Sequence, residues 1–305
     1  MQALLQVSIA GLVTGCLYGL LALGIVLIYR TTGVLNFAYG AIAAFCTCFM
    51  YMLLTGPHLN FWLAFLLTLF VAMVLGVVLE RAFARPVLNA PIFTKAIATL
   101  ALALVLETVA QQIWPQLASS VHFPTPFEGH ALHIGTIYLS LIDITVVVVT
   151  GLIMVCLHFL LVYTKLGIAM RATSDGLQTA RLMGIPVGTI FLLVWGLSAL
   201  IAALCGVLLA SHQGLVDVRF MDPILLFAFV GAVLGGLDSL PGALIGGILV
   251  GLVDNLLALL LAGHTLGALN ISDPGVRQAL IFGGFVLILL LRPQGLFGRA
   301  FLRRV

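Results

Sequence analysis

The sequence predicts an all-α, polytopic membrane protein with about eight to ten transmembrane helices. Hydrophobic residues make up 63% of its 305 residues and only 8% are charged, whereas about a quarter of the residues in a soluble domain are charged. The apolar residues form continuous runs of spanning length, not the alternating pattern of β-barrel strands. The 32 glycines are typical of membrane helices that pack at close range. We therefore expect one transmembrane domain over residues 1–305.

Nine apolar runs are long enough to cross about 30 Å of hydrocarbon as helices. They lie near residues 4–29, 35–54, 61–80, 92–113, 140–162, 189–211, 223–237, 242–262 and 277–291. The seventh run is short, which predicts a tilted or broken helix. A re-entrant segment at this run or at residues 30–40 would change the helix count.

Basic residues predict the orientation, because cytoplasmic loops of membrane proteins are enriched in Lys and Arg. With the N-terminus outside and the C-terminus inside, only Arg219 and Arg277 fall on the outer side. The cytoplasmic side then receives Arg30, Arg81, Arg85, Lys95, Lys165, Arg171, Arg181, Arg292, Arg299, Arg303 and Arg304. In this orientation residues 163–188 form a cytoplasmic loop and residues 114–139 a periplasmic loop.

The first apolar run carries glycines at four-residue spacing, which lines one helical face with small residues and lets another helix approach closely. These are Gly11, Gly15 and Gly19. The same spacing recurs near the seventh and eighth runs, at Gly231 and Gly235 and at Gly242 and Gly246. Between them, Asp238–Gly242 predicts a tight turn. We interpret all seven glycines as helix-packing positions.

The segment from Arg30 to Gly40 joins the first two runs and contains residues that interrupt the apolar pattern. Polar or irregular backbone at membrane depth persists only inside the protein or along a wet cavity. Asn36, Phe37, Tyr39 and Gly40 are therefore candidates for the wall of a translocation path. A plain cytoplasmic turn is the alternative, in which Asn36 needs no functional role.

Two carboxylates, Glu107 and Asp254, lie deep within apolar runs, and Asp143 lies near an interface. An ionisable group in a membrane segment is costly. It marks either a proton or ion path or a buried hydrogen-bond partner. The sequence places no basic residue beside Glu107 or Asp254, so both interpretations stay open.

The longest polar interruption runs from Tyr163 to Pro186 and predicts a short helix. Asp175 is placed to cap its start, and Gln178 to reach back to the cap residue. Gly184 suits a left-handed helix end, and Pro186 prevents continuation. The predicted helix has about two turns.

Apolar side chains on the solvent side of this loop favour a docking surface, although a solvated connection between two spans is the alternative. They are Leu177, Leu182, Met183 and Ile185, and Lys165, Arg171 and Arg181 surround them with positive charge. A mechanical contact of this kind is what a separate ATPase needs in order to drive a membrane protein.

Catalytic and ligand-binding motifs are missing from the sequence. There is no P-loop, nucleophile elbow or helix-borne zinc motif, so we expect neither an enzyme nor a cofactor. The five cysteines lie in apolar runs and are expected as buried free thiols. His122, His130 and His133 share one loop, but without a cysteine partner we expect no metal there. A passive channel, an ion-coupled carrier and a permease driven by a separate ATPase remain, and the loop favours the last.

Four segments in order along the chain resemble the LivH-type permease of branched-chain amino acid ABC transporters (the LivH/LivM family). They are Arg30–Ala38, Met170–Ile185, Gly235–Ala243 and Arg292–Phe297. The resemblance implies a subunit of an inner-membrane importer in bacteria. Its implied partners are a second, LivM-like permease, two ATP-binding subunits and a periplasmic substrate-binding protein, with no nucleic acid.

The resemblance also implies that Ala180 and Gly184 match the residues of the loop that docks on the ATPase. The docking residues are then Arg171, Asp175, Leu177, Ala180, Arg181, Met183 and Gly184. The chain departs from the family at Tyr39, where His or Gln is common, and at Ala41, where a carboxylate is common. Permeases for urea and short amides resemble the same pattern and are the alternative for the solute.

Overall fold

The computed structural model describes residues 2–88, 90–127, 129, 131–134, 137–262, 265–266, 269–270, 273–292 and 295–296. Nine apolar helices account for most of them. These are α1 (Gln2–Thr32), α2 (Tyr39–Thr55), α3 (Phe61–Leu79), α5 (Ile92–Ile113), α6 (Leu141–Tyr163), α9 (Val187–Gln213), α10 (Asp222–Gly235), α11 (Leu240–Leu261) and α12 (Pro274–Leu291). Six are long and apolar enough to cross a membrane, and α2, α10 and α12 are shorter. The prediction of an all-α polytopic membrane protein is confirmed.

Short elements connect these helices. A π-helical turn (Glu80–Ala84) leads from α3 into α4 (Arg85–Val87), and a 3-10 turn (Pro115–Ala118) follows α5. Two further helices, α7 (Lys165–Asp175) and α8 (Leu177–Leu182), lie between α6 and α9. Three antiparallel two-stranded pairs complete the described elements: β1 (Val121–His122) with β4 (Leu215–Val216), β2 (Ala131–Ile134) with β3 (Ile137–Ser140), and β5 (Thr265–Leu266) with β6 (Leu269–Asn270).

The chain forms two compact units. The first, here called the glycine unit, comprises Met1–Val26, Gly129–Thr150 and Leu226–Val305. The second, here called the loop unit, comprises Leu27–Glu128 and Gly151–Leu225 and contains α7 and α8. Helices α1, α6 and α10 contribute residues to both units.

In the loop unit, α3 packs on α9 through a stripe of small residues at four-residue spacing. Ala64, Thr68, Ala72 and Gly76 are all buried on one face of α3. A Cβ at Gly76 would lie 2.5 Å from the backbone oxygen of Trp195, so only glycine fits this contact. The close approach lets dispersion forces hold the two helices together in lipid, where the hydrophobic effect contributes little between them.

In the glycine unit, α1 packs on α11 glycine against glycine. A Cβ added at Gly247 would lie 2.3 Å from the Cα of Gly19, and one at Gly251 would lie 2.3 Å from the Cα of Gly15. Gly11 lies on the same face of α1, and a Cβ added there would lie 3.0 Å from the Cα of Leu252. These three glycines of α1 therefore lie in the close contact that their spacing predicts.

The contact between α10 and α11 is equally close. A Cβ at Gly231 would lie 2.7 Å from the Cα of Gly247, and one at Gly235 would lie 1.9 Å from the backbone oxygen of Gly242. Gly246 faces the backbone of Gly231. The predicted turn at Asp238–Gly242 is wrong at its end, because the Ser239 hydroxyl caps α11 by accepting from the Gly242 N–H at 3.1 Å. Leu240 therefore already begins the helix.

Candidate functional site

The loop from Tyr163 to Pro186 contains two helices where the sequence predicts one. Helix α7 begins after Thr164, whose hydroxyl accepts a hydrogen bond from the Gly167 N–H at 3.1 Å. Asp175 is the last residue of α7, so its predicted role as the cap of the following helix is wrong. The cap residue of α8 is Gly176, which offers no side-chain oxygen.

The end of α8 has the geometry that its sequence predicts. Gly184 has a φ of +78°, in the left-handed region that favours glycine. Its N–H donates to the Arg181 carbonyl at 3.0 Å, and the Ile185 N–H donates to the Ala180 carbonyl at 3.1 Å. These two bonds form a Schellman motif, which fixes the direction in which the chain leaves α8.

One face of α8 packs on its own unit. Ala180 is 2% exposed and lies in a buried cluster with Val187 and Phe191 of α9, and Leu177 and Ile185 pack against the same cluster. Leu177 and Ala180 are three residues apart and therefore share a helical face. Both were expected to contact the ATPase, but in this structure they connect the loop to α9.

The other two apolar side chains predicted for the docking surface, Leu182 and Met183, point to solvent. Leu182 is 88% exposed and Met183 is 78% exposed. Arg171 and Arg181 are also exposed. An apolar pair beside two arginines is a composition suited to a partner with an apolar groove and acidic groups. We call Arg171, Arg181, Leu182 and Met183 the exposed loop surface.

Arg85 makes a polar contact with the start of α9. The Arg85 guanidinium donates through Nη2 to the Gly188 carbonyl at 3.4 Å, and its Nε lies 3.4 Å from Oε1 of Glu80. The Glu80 side chain is only 1% exposed. Glu80 was not predicted from the sequence, although its position at the end of the third apolar run was a usable signal. Arg85 thus links the π-helical turn to Gly188 in the first turn of α9.

The break between α1 and α2 is enclosed by protein. Asn36 is 0% exposed, and its Oδ1 accepts from the Ala38 N–H at 3.0 Å, whereas its Nδ2 has no hydrogen-bond partner in the part of the chain that the structure describes. The Tyr39 hydroxyl donates to the Ser198 carbonyl at 2.7 Å. Gly40 packs on Leu225, and a Cβ added at Gly40 would lie 3.1 Å from the Cβ of Leu225.

Helix α5 contacts the backbone of this break through Thr99. The Thr99 hydroxyl accepts from the Phe37 N–H at 3.3 Å and lies 3.2 Å from the Leu35 carbonyl. Phe37 is half-buried, whereas Asn36, Tyr39 and Gly40 are buried. In this conformation, the residues predicted to line the translocation path are therefore packed inside the protein.

Both carboxylates in apolar runs have ionic partners. Glu107 Oε2 lies 3.3 Å from Nε of Arg219, and the Glu107 side chain is 13% exposed. Asp254 Oδ1 lies 2.9 Å from Nε of Arg277, and the Tyr18 hydroxyl donates to Asp254 Oδ2 at 3.2 Å. The structure thus favours the interpretation of buried, partnered groups over that of lone carboxylates on an ion path.

All five cysteines are free thiols. Cys16, Cys46, Cys48 and Cys205 are buried free thiols as expected, but Cys156 is exposed. Within the described ranges, no three His, Cys, Asp or Glu side chains are grouped to hold a metal ion. His130 lies outside the described residues.

The family model described as "Branched-chain amino acid transport system / permease component" matches residues 7–291. The chain is 29% identical to the high-affinity branched-chain amino acid transport system permease protein BraD of Pseudomonas aeruginosa, covering 99% of this chain and 98% of that protein. It is 28% identical to the corresponding protein LivH of Escherichia coli, with 99% and 97% covered.

An archaeal relative is more similar over a shorter region. The probable branched-chain amino acid transport permease protein LivH of Methanocaldococcus jannaschii is 34% identical over 254 residues, which cover 80% of this chain and 78% of that protein. The matches to BraD and LivH span the segments on which the sequence resemblance was based.

Proposed function

We propose, from the premise that the chain belongs to the family of branched-chain amino acid transport system permease components, that it is the transmembrane permease subunit of an ABC importer for branched-chain amino acids. The observation that carries this proposal is the family match over residues 7–291. The Arg219 partner of Glu107 supports it against a carrier that couples transport to an ion at Glu107, because such a carrier needs a carboxylate that is free to exchange its cation.

The energy for transport comes from other chains in this proposal. The sequence contains no P-loop, so two separate ATP-binding subunits hydrolyse ATP. A periplasmic binding protein delivers the solute, and a LivM-like permease completes the membrane part. The complex lies in the inner membrane of a bacterial cell, and this subunit is not itself an enzyme.

The exposed loop surface is the docking site for an ATP-binding subunit. Leu182 and Met183 enter an apolar groove on that partner, and Arg171 and Arg181 contact its acidic groups. Movement of the partner then displaces α9 through the cluster of Ala180, Val187 and Phe191. A packed cluster transmits such a displacement because it has little free volume to absorb it.

The same movement reaches α3 by a second contact. Arg85 bonds the Gly188 carbonyl at the start of α9 and pairs with Glu80 beside α3. Transport then requires the enclosed segment at Asn36, Phe37, Tyr39 and Gly40 to open and line the path. Asn36 is suited to this role because its buried Nδ2 has no bond to lose among the described residues when a solute passes.

Affinity purification tests the docking proposal. The chain is co-expressed with its neighbouring permease and ATP-binding subunits, and the double variant Leu182→Ser, Met183→Ser is compared with the wild type. We expect the variant to insert into the membrane but to lose the ATP-binding subunits and ATP hydrolysis, because exposed apolar anchors dominate binding energy.

The matched control is Ile92→Ser, Phe93→Ser, at the start of α5. These side chains are 77% and 76% exposed and lie on the same predicted side of the membrane as the loop. The control should retain the ATP-binding subunits. Equal recovery of those subunits with both double variants would disprove docking at Leu182 and Met183. Uptake of urea but not leucine by the purified complex would instead assign the amide alternative.

A further inference from the structure

The glycine unit contains an ion pair between a buried carboxylate and a half-buried arginine, and their close atoms are incompletely hydrogen-bonded. Asp254 is 8% exposed and Arg277 is 31% exposed at the side chain. Their close atoms, Asp254 Oδ1 and Arg277 Nε, lie 2.9 Å apart, yet neither atom has a well-directed hydrogen bond within the described chain. A guanidinium carries five N–H donors. Both groups therefore have unused capacity to bind a charged solute.

An apolar cavity of about 270 Å³ lies among α10, α11 and α12, and the ion pair joins the last two of these helices. Every described side chain that lines it is apolar, with Val250 and Leu257 on α11 and Ile281 and Gly284 on α12 among them. The volume is slightly below the range of small-molecule sites, which is about 300–1,000 Å³. Its occupant is therefore small and largely aliphatic.

The cavity and the ion pair lie on the same helix faces. On α11, Asp254 lies between Val250 and Leu257 at the i+4 and i+7 positions, which share a face. On α12, Arg277 precedes Ile281 by one turn and shares its face in the same way. The arrangement places one negative and one positive group at the edge of an aliphatic chamber.

Tyr18 and two phenylalanines hold this edge in place. The Tyr18 hydroxyl donates to Asp254 Oδ2 at 3.2 Å, and its ring stacks on Phe227 at a centroid distance of 5.1 Å. Phe227 in turn stacks on Phe282 at 5.9 Å. The carboxylate is thereby oriented by α1, while the aromatic stack ties α1, α10 and α12 together.

We propose that this chamber binds a branched aliphatic amino acid in its zwitterionic form, with the ammonium on Asp254, the carboxylate on Arg277 and the side chain in the cavity. This inference rests on the proposed function and adds a binding site to it. A zwitterion fits because binding exchanges one internal ion pair for two pairs with the solute. No charge is left unpaired. An unpaired charge would be costly because the site is largely shielded from water.

Substitutions at two adjacent glycines provide the cleanest test. Gly284 lines the cavity, whereas Gly283 does not, and a Cβ at either position meets no atom within 4 Å. The whole complex is reconstituted without its binding protein, and its affinity for L-leucine is measured with the variants Gly284→Leu and Gly283→Leu. We expect Gly284→Leu to weaken leucine binding at least tenfold because it fills the cavity, and Gly283→Leu to leave binding unchanged.

The charges are tested with the double variant Asp254→Asn, Arg277→Gln. It leaves no unpaired buried charge and keeps an acceptor for Tyr18, so that the complex should still assemble. We expect leucine binding to weaken about 10- to 100-fold, as loss of charge-assisted hydrogen bonds implies. With the wild type, 4-methylpentanoate and 3-methylbutylamine, which each lack one charge, should bind more weakly than leucine.

Three results would overturn the inference. The double variant could bind leucine with wild-type affinity, which would make the ion pair structural. Gly284→Leu could displace a co-purified lipid without changing leucine affinity, which would assign the cavity to an acyl chain. Gly283→Leu could weaken binding as much as Gly284→Leu. Wild-type vesicles that hydrolyse ATP but import no leucine would instead contradict the proposed function itself.

Discussion

At the scale of single residues, the close helix contacts depend on glycines whose Cβ has no room. Gly76 is the clearest case in the loop unit, because its position lies against the backbone of Trp195 and Gly196 in α9. Backbone atoms cannot move aside as a flexible side chain can. A side chain at this position must therefore separate α3 from α9.

Substitution of Gly76 tests this contact. We expect Gly76→Leu to destabilise the protein by about 1–3 kcal/mol or more, which is the usual cost of overpacking. The measurement is the midpoint of thermal unfolding in detergent. Gly151→Leu on α6 is the control, because a Cβ there meets nothing within 4 Å. Equal destabilisation by both substitutions would show that the packing at Gly76 is not special.

The Glu107–Arg219 pair provides a second prediction at this scale. Arg219 is 64% exposed, so solvent already screens much of its charge. We expect Glu107→Gln to change stability by less than about 1 kcal/mol and to leave leucine uptake by the reconstituted complex unchanged. If uptake became insensitive to an imposed proton gradient only in this variant, Glu107 would be part of an ion path.

At the scale of elements, the exposed loop surface depends on how α8 ends. The left-handed Gly184 turns the chain so that Ile185 returns to the buried cluster while Leu182 and Met183 stay in solvent. The Schellman bonds hold this arrangement. The docking surface is therefore a property of the helix end as much as of the side chains.

Substitution of Gly184 by Ala tests this dependence. A residue with a Cβ in the left-handed region costs about 1–2 kcal/mol, which should increase hydrogen exchange at the Ile185 amide about 5- to 30-fold. ATP hydrolysis by the complex should fall with it. Gly176→Ala is the control, because Gly176 has an extended φ of −179°. Unchanged exchange in Gly184→Ala would mean that the turn does not stabilise the loop.

At the scale of the whole molecule, the orientation across the membrane remains a prediction from charge. Eleven of the thirteen Lys and Arg residues are expected inside, with only Arg219 and Arg277 outside. Such a bias sets membrane topology because basic residues are retained in the cytoplasm. An odd number of crossings, as the nine apolar runs predict, likewise places the two ends of the chain on opposite sides.

Reporter fusions measure this orientation. A green fluorescent protein joined after Val305 should fluoresce, because it folds in the cytoplasm. Alkaline phosphatase joined at the N-terminus through a signal sequence should be active, because it needs the oxidising periplasm for its disulfides. A dark C-terminal fusion at full expression would reverse the topology and place the exposed loop surface on the wrong side for an ATPase.

The sequence alone determined the class, the helices and the family. Length of apolar runs depends only on local composition, and all nine predicted runs correspond to helices. The four-residue spacing of glycines is also local, which is why the helix faces that meet in the glycine unit were predictable. Four motifs in order along the chain were sufficient to identify the family, which the match over residues 7–291 confirms.

Tertiary structure alone decided which polar groups are partners and which loop residues are exposed. Tyr18 and Asp254 are 236 positions apart, and no local pattern predicts that their side chains meet. Leu177 and Met183 look alike in the sequence, yet one packs on α9 and the other faces solvent. Burial and ion pairing depend on what other parts of the chain bring to a residue, so they become visible only once the helices have packed.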